Sequence, residues 1–432
     1  MKSLKKPSKT IIFAAMMAIL IIPFLQNLFD FIDIAPLKGS FEKAEKKEIS
    51  LSGWFSDDYQ QNQEKYINQN FGFRNLFVRL NNQIAFDLFN VAKANQVIVG
   101  KDNYLYEKNY LLASSGIDFI GADSVKHRMQ RLKFIQDELQ KRNKTLLVVF
   151  TAGKASFYPE YIPKEYATNN RPTNYECHIK ACKEQNINFI DFNDYFIKHK
   201  ETSQYPLYPQ YGIHWSYYGM CLAVDSIVHR IEGLRNINMP EIYWDSIKMD
   251  LPREGDYDIA DGMNLLFKLK REKMAYPIIK IKDETSATKP SAIVIGDSFY
   301  WQMYNFTPRV FSDNHFWYYY RDVYPNSSGK SVIVDDLNFE NEMEQHDVFI
   351  LMSTEANLSK FGWGFIDDAY KLFKYGENQN PEAFKAKVEE VRKYIKSDKK
   401  WMEIIIEKAR KQNISVDSML MKDAIWVAKN KN

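Results

Sequence analysis

Two stretches of this chain carry residues that could do chemistry. In "AIVIGDSFYWQMYNF" (292–306) an apolar run leads straight into Gly-Asp-Ser, so the Ser298 hydroxyl stands at the end of a buried strand. A serine becomes a nucleophile only with a base to take its proton, and histidine, titrating near neutrality, is the usual partner. Of seven histidines, His127, His178, His199 and His229 fall in charged helical stretches and read as surface residues. His315 and His346 sit in polar surroundings with little pattern. His214 differs. In "YPQYGIHWSYYGMCLAVDSIVHRI" (208–231) it stands beside Trp215, in a turn-like segment ahead of an apolar helix, among aromatics that would exclude water. A Ser298–His214 pair is the chemistry to expect, in nucleophilic acyl transfer. Asp297 is too close to Ser298 to serve as its acid and more simply fixes the turn.

The elements that must position this pair alternate between helix and strand. A helix over "SVKHRMQRLKFIQDELQKRN" leads into the strand "TLLVVF" (145–150), and a helix around 175–185 leads into "INFID" (187–191). Further strands are expected at "AIVIGD" (292–297), "SVIVDD" (331–336) and "DVFILMS" (347–353). Short, continuously apolar strands separated by helices imply a mostly parallel sheet covered on both faces, an α/β fold. Ligands gather at the carboxyl ends of such strands, which is where Ser298 lies. Before this unit, residues 57–94 read as helical, with Phe73, Leu76, Phe77, Leu80, Ile84 and Leu88 on one face, and 96–107 as a hairpin turning at Asp102-Asn103. After about 365 the chain becomes charged and helical.

Composition sets the class. A chain of 432 residues with 45% hydrophobic and 15% aromatic content is folded, and its net charge of +3 gives no reason to expect nucleic acid as a partner. Cys177, Cys182 and Cys221 make no disulfide framework and no paired zinc motif, and no metal or cofactor is expected. The N-terminus is more informative: Lys2, Lys5, Lys6 and Lys9 precede an apolar run from Ile11 to Leu25. Extended to the following Leu-Phe, the run approaches the ~20 residues of a membrane span. No small-x-small cleavage site precedes the charged segment Glu42 to Glu48, which favours an uncleaved anchor, with residues beyond about 30 exported. The expected organisation is an anchor (1–29), a polar tether (30–56), a catalytic domain (57–364) and a C-terminal helical segment (365–432).

Several stretches, in order, resemble the SGNH-type O-acetyltransferases of bacterial exopolysaccharide modification, the periplasmic alginate-acetylation and DHHW-like type. They are "NFGFRNLFVRLNNQI", "VIVGKDNYLYEKNYL", "LLVVFTAGKASFYPEYIP" with Lys154, Tyr158, Pro159 and Glu160, "GIHWSYYG", and "VIGDSF". His214 precedes Ser298, as in the acetylation branch, whereas ordinary SGNH esterases run from Ser to His. One position departs: the family's Asp, two residues before the His, is Gly212 here. Three arrangements then stand open. A carboxylate from elsewhere, Asp191 or Glu355, could replace it; a backbone carbonyl could orient His214; or catalysis could be lost and glycan binding retained.

The resemblance implies an SGNH-hydrolase-like sheet and an acetyl-serine intermediate on Ser298. It implies a polysaccharide acceptor, and as acetyl donor a membrane-bound O-acyltransferase at the bacterial inner membrane, with the catalytic domain in the periplasm. The oxyanion would meet the Ser298 amide and a second donor, for which Thr354 and Asn357 are candidates. Lys154, Trp215, Tyr217, Tyr218, Tyr300 and Trp301 are candidates for substrate contact. An acetyl esterase using the same pair is the alternative enzyme.

Overall fold

Three runs of Val, Ile, Leu and Phe, buried along their whole length, form the centre of the fold. The computed structural model describes residues 9–39, 43–48, 51–55, 57–166, 171–282, 286–326, 331–376, 381–412 and 414–430. Its main sheet comprises β1 (Thr145–Thr151), β2 (Phe189–Asp191), β3 (Ala292–Gly296), β4 (Asn314–Tyr318), β5 (Asp322–Tyr324) and β6 (Val348–Thr354). They lie in the order β5-β4-β3-β6-β1-β2, parallel throughout except for β5, which is antiparallel to β4.

Strands buried on both faces need helices on both. Helices α1 (Ala122–Lys141), α2 (Asn174–Gln185) and α4 (Phe365–Tyr375) cover one face. Helix α3 (Tyr217–Arg235), which follows the His214 loop, packs on the other. The expected α/β sheet is therefore present, with two corrections at its edge. The segment 331–336 is not a strand: Ile333 makes a single bridge to Asp322 and Val334–Asp336 is a 3-10 turn. The edge is instead β4 and β5, short segments read from the sequence as neither.

The hairpin is present, as Val97–Val99 paired with Leu105–Glu107, with Asp102 and Asn103 both at positive φ in the turn. The helical stretch 57–94 forms as two helices, Asp57–Asn70 and Arg74–Phe89, parted at Phe73, which has φ 62°. The apolar face read from the sequence is the outward one: Leu76, Phe77, Leu80, Ile84 and Leu88 are exposed. The other face buries Ala85 and Phe86 and adds polar contacts. Asn82 Nδ2 donates to Met263 O (2.8 Å), and Phe267 N donates to Gln83 Oε1 (3.0 Å).

Lys9–Phe29 is one helix, long and apolar enough to cross a membrane and almost wholly uncovered by the rest of the chain. Lys2, Lys5 and Lys6 lie outside the described residues. Part of the segment expected to be a polar tether is docked. Arg79 donates to Ala35 O and Pro36 O, Lys38 N donates to Asn264 Oδ1 (2.7 Å), and Lys38 pairs with Asp261.

At the other end, Pro381–Ser397, Lys399–Gln412 and Val416–Asn430 pack together around Val388, Ile395, Ile405, Leu420 and Ala424. This core is separate from the two that flank the sheet. Deleting residues 381–432 should therefore leave the main thermal transition within about 4 °C of the full chain, a change worth ~1 kcal/mol or less. Differential scanning calorimetry of the two proteins checks this; a larger fall would mean that the helices brace the sheet.

Candidate active site

The carboxyl end of β3 runs into the Ser298 turn because Asp297 holds it. Asp297 Oδ1 accepts Phe299 N (3.2 Å), and its Oδ2 accepts Thr354 N (2.9 Å) and Asn357 Nδ2 (2.9 Å) from the end of β6. The Asp is thus the brace between adjacent strands, and Ser298 is left half-buried at the surface of the turn.

The loop bearing His214 is clamped from beneath. Lys154, fully buried, donates from Nζ to Gln210 O (2.8 Å) and Gly212 O (2.6 Å). The Tyr208 hydroxyl lies between Ala152 O (3.0 Å) and Ile213 O (2.9 Å), tying the same loop to the end of β1. Behind the imidazole, Trp215 is buried against Phe192, Phe196 and Phe299. Ser216 then caps α3, accepting Gly219 N (2.9 Å).

These supports bring His214 Nε2 to 2.9 Å from Ser298 Oγ. On the far side of the ring, His214 Nδ1 stands 2.6 Å from Asp258 Oδ2. Asp258 is fixed in turn, its Oδ1 accepting Ile213 N (2.9 Å) and Ile259 N (2.7 Å). Serine, imidazole and carboxylate are therefore in line. The carboxylate fixes the tautomer with the proton on Nδ1, which leaves the Nε2 lone pair facing the hydroxyl.

The acid at the imidazole is Asp258, and neither Asp191 nor Glu355 has that place. Asp191 accepts the Tyr175 hydroxyl (2.8 Å) and caps Asp194 N (3.1 Å). Glu355 accepts Ser156 Oγ and Asn193 Nδ2, both at 2.6 Å, and burial, outweighing those bonds, pushes its carboxyl up to about 7. A carbonyl on Nδ1 is likewise ruled out by the carboxylate there.

Gly212 explains the change of supplier. A Cβ at this position would stand 2.0 Å from Gly255 O, and one at Gly255 would meet Gln302 Nε2 at 2.5 Å. The space that the Cβ of the family's Asp would need is filled by the 254–256 turn, whose approach carries Asp258 to the ring. Asp256, in the same turn, accepts Tyr217 N (3.1 Å) at the start of α3.

Electrostatics agree with the geometry. Burial alone would push the His214 imidazole down; the charge and hydrogen bond of Asp258, with Asp297 and Glu107 behind it, outweigh burial and hold it above its ordinary value. Glu107, at the end of the hairpin, is itself raised, by burial and by the Asp258 charge. Burial pushes Lys154 down to about 7 against the attraction of Asp258 and Glu107.

Other sequence-based candidates are placed differently. Thr354 N and Asn357 Nδ2 are engaged by Asp297, so neither is a free oxyanion donor. Lys154 and Trp215 are wholly buried, and Tyr300 is buried with its hydroxyl on Thr307 and Asn314, so none of these offers a surface to a sugar. Tyr217, Tyr218 and Trp301 are half-buried. His178 is buried against Phe361 rather than on the surface. Sequence reasoning missed Asp258 and Glu107. The signal for the first was "REGDYDIADG", four carboxylates within eight residues between the two motifs.

Residues 97–309 match the family model of the SGNH hydrolase-like domain of the acetyltransferase AlgX. These residues form an SGNH hydrolase-like domain. His214, Asp258 and Ser298 all fall inside the match. Among solved structures, the O-acetyltransferase domain of Pseudomonas putida AlgJ is similar at 14% identity and TM-score 0.40, covering 63% of this chain and 98% of that one. Pseudomonas aeruginosa AlgX is similar at 13% identity and TM-score 0.41, covering 64% of this chain and 67% of that one. Bacillus cereus PatB1, carrying a sulfonyl adduct, is similar at 12% identity and TM-score 0.39, covering 58% and 93%. No curated protein matches the chain.

The Asp258 geometry can be tested in two ways. His214 acts as a base only when neutral, so activity should fall as pH drops through its raised pKa. Asp258→Asn removes the charge that raises it, so the acid limb of the kcat/KM profile should move to lower pH while turnover drops about 10⁴-fold. A limb that stays in place would contradict the assignment. Gly212→Ala should lower stability to urea by about 1–3 kcal/mol and reduce turnover, because the added methyl must displace the turn that delivers Asp258.

Proposed function

We propose that this chain is a membrane-anchored O-acetyltransferase that moves acetyl groups onto hydroxyls of an exported polysaccharide through an acetyl-serine. The observation that carries the reading is the line Ser298–His214–Asp258, within a domain of an acetyltransferase family. Ser298 Oγ attacks the acetyl carbonyl as His214 Nε2 takes its proton, with Asp258 stabilising the imidazolium. The oxyanion is met by the Ser298 N–H, which has no acceptor among the described residues. Collapse breaks the bond between acetyl and donor, and His214 returns the proton to the leaving oxygen. A sugar hydroxyl then gives its proton to His214 and attacks the acetyl-serine; Ser298 leaves and is reprotonated.

Tyr217, Tyr218 and Trp301, partly open to solvent, are the candidate aromatic faces left for a sugar ring. The Lys9–Phe29 helix supports an anchor in the bacterial inner membrane, with the domain in the periplasm. There a membrane-bound O-acyltransferase would supply acetyl groups from the cytoplasmic side. The non-catalytic reading drew its support from Gly212, and Asp258 removes that support. An esterase would use the same three residues with water as acceptor.

The test is an assay with a chromogenic acetyl ester as donor and an oligosaccharide as acceptor, products read by mass spectrometry. Acetylated oligosaccharide should form, and Ser298→Ala should reduce its formation by about four orders of magnitude or more. Release of acetate with no transfer to any sugar would make the protein an esterase; equal rates for Ser298→Ala and wild type would end the catalytic reading.

A further inference from the structure

At the amino ends of β4 and β6, the opposite end of the sheet from Ser298, Asp313, His315 and His346 converge, with one donor atom of each within 4.8 Å of the other two. His315 Nε2 lies 3.5 Å from Asp313 Oδ1, and His346 Nε2 lies 3.6 Å from Asp313 Oδ2. Both separations are too long for good hydrogen bonds. They are close to the ~3.3 Å that separates two donors on one tetrahedral zinc with bonds of 2.0–2.1 Å.

The outward nitrogens are held as metal-ligating imidazoles are held. His346 Nδ1 donates to Glu342 O (2.9 Å), and His315 Nδ1 faces Glu342 Oε2 (3.2 Å). A backbone carbonyl or carboxylate on Nδ1 fixes the tautomer that leaves Nε2 free to ligate. His346 supplies an independent observation. It is only 2% exposed, and its Nε2 has no hydrogen-bond partner although it points into the cluster. Buried polar atoms are normally paired, and an orphan lone pair beside a second imidazole and a carboxylate is what a cation would satisfy.

We propose that His315 Nε2, His346 Nε2 and the Asp313 carboxylate bind a divalent transition ion, with zinc the best match for two imidazoles and one carboxylate. Glu342 orients both rings. Water completes the tetrahedron on the side where the Asp313 side chain is 54% exposed. The role is structural. The ion joins the start of β4 to the turn that enters β6, and so ties together the two strands that flank β3, which leads into the Ser298 turn.

The experiment is a Zn²⁺ titration of the full, tag-free chain after chelator treatment, followed by calorimetry, by thermal melting and by the visible spectrum with Co²⁺ substituted. About one Zn²⁺ per chain should bind, the melting temperature should rise saturably, and Co²⁺ should give tetrahedral absorption bands. Asp313→Asn and His315→Gln, both at partly exposed positions, should each weaken Zn²⁺ at least 10- to 100-fold, the loss typical of removing a group around a metal. Ser298→Ala should bind as wild type does. No saturable binding by the wild-type chain, or binding unchanged in both ligand variants, would overturn the proposal.

Discussion

The site depends on one contact between segments distant in sequence: the Asp258 carboxylate 2.6 Å from His214 Nδ1. Without it, the imidazole beside Ser298 would be free to choose its tautomer, and burial would push its pKa down rather than let it rise. With it, the ring is a fixed base whose lone pair already points at the nucleophile. Preorganisation of this kind accounts for much of what a serine site adds over the bare hydroxyl.

Much of the surrounding structure serves that contact. Lys154 and Tyr208 hold the His214 loop from below, and Asp297 locks the Ser298 turn to the end of β6. Gly212 and Gly255 let two loops approach more closely than any side chain would allow. The Asp258 segment is anchored from its other side by Lys38, Asn82 and Gln83, residues nearer the N-terminal apolar helix. The carboxylate at the imidazole therefore sits where the N-terminal part of the chain meets the sheet domain.

How much of this was legible in the sequence depended on whether the signal was local. Ser298 could be read because an apolar strand ending in Gly-Asp-Ser is a pattern of consecutive residues, and His214 because its loop leads into an apolar helix. The α/β alternation was equally visible. Asp258 was not: its partnership with His214 arises from the packing of two glycine-containing loops, and no spacing encodes that. Trp215, Tyr300 and Lys154 were misread because composition cannot tell an aromatic wall or a solvated amine from a buried support. The edge strands β4 and β5 escaped because they are short and end in polar residues. The helix Arg74–Phe89 had the expected period, but the apolar stripe read from it is exposed and the helix docks through Asn82, Gln83, Ala85 and Phe86.

Reaction with a fluorophosphonate, followed at Ser298 by peptide mass spectrometry, separates the candidate carboxylates most directly. The wild-type chain should be labelled at Ser298; Asp258→Asn and His214→Ala should both be labelled far more slowly, and the double variant no more slowly than His214→Ala alone, because the two act as one unit. Asp191→Asn should react at the wild-type rate. Labelling that survives Asp258→Asn but fails in Asp191→Asn would contradict the account.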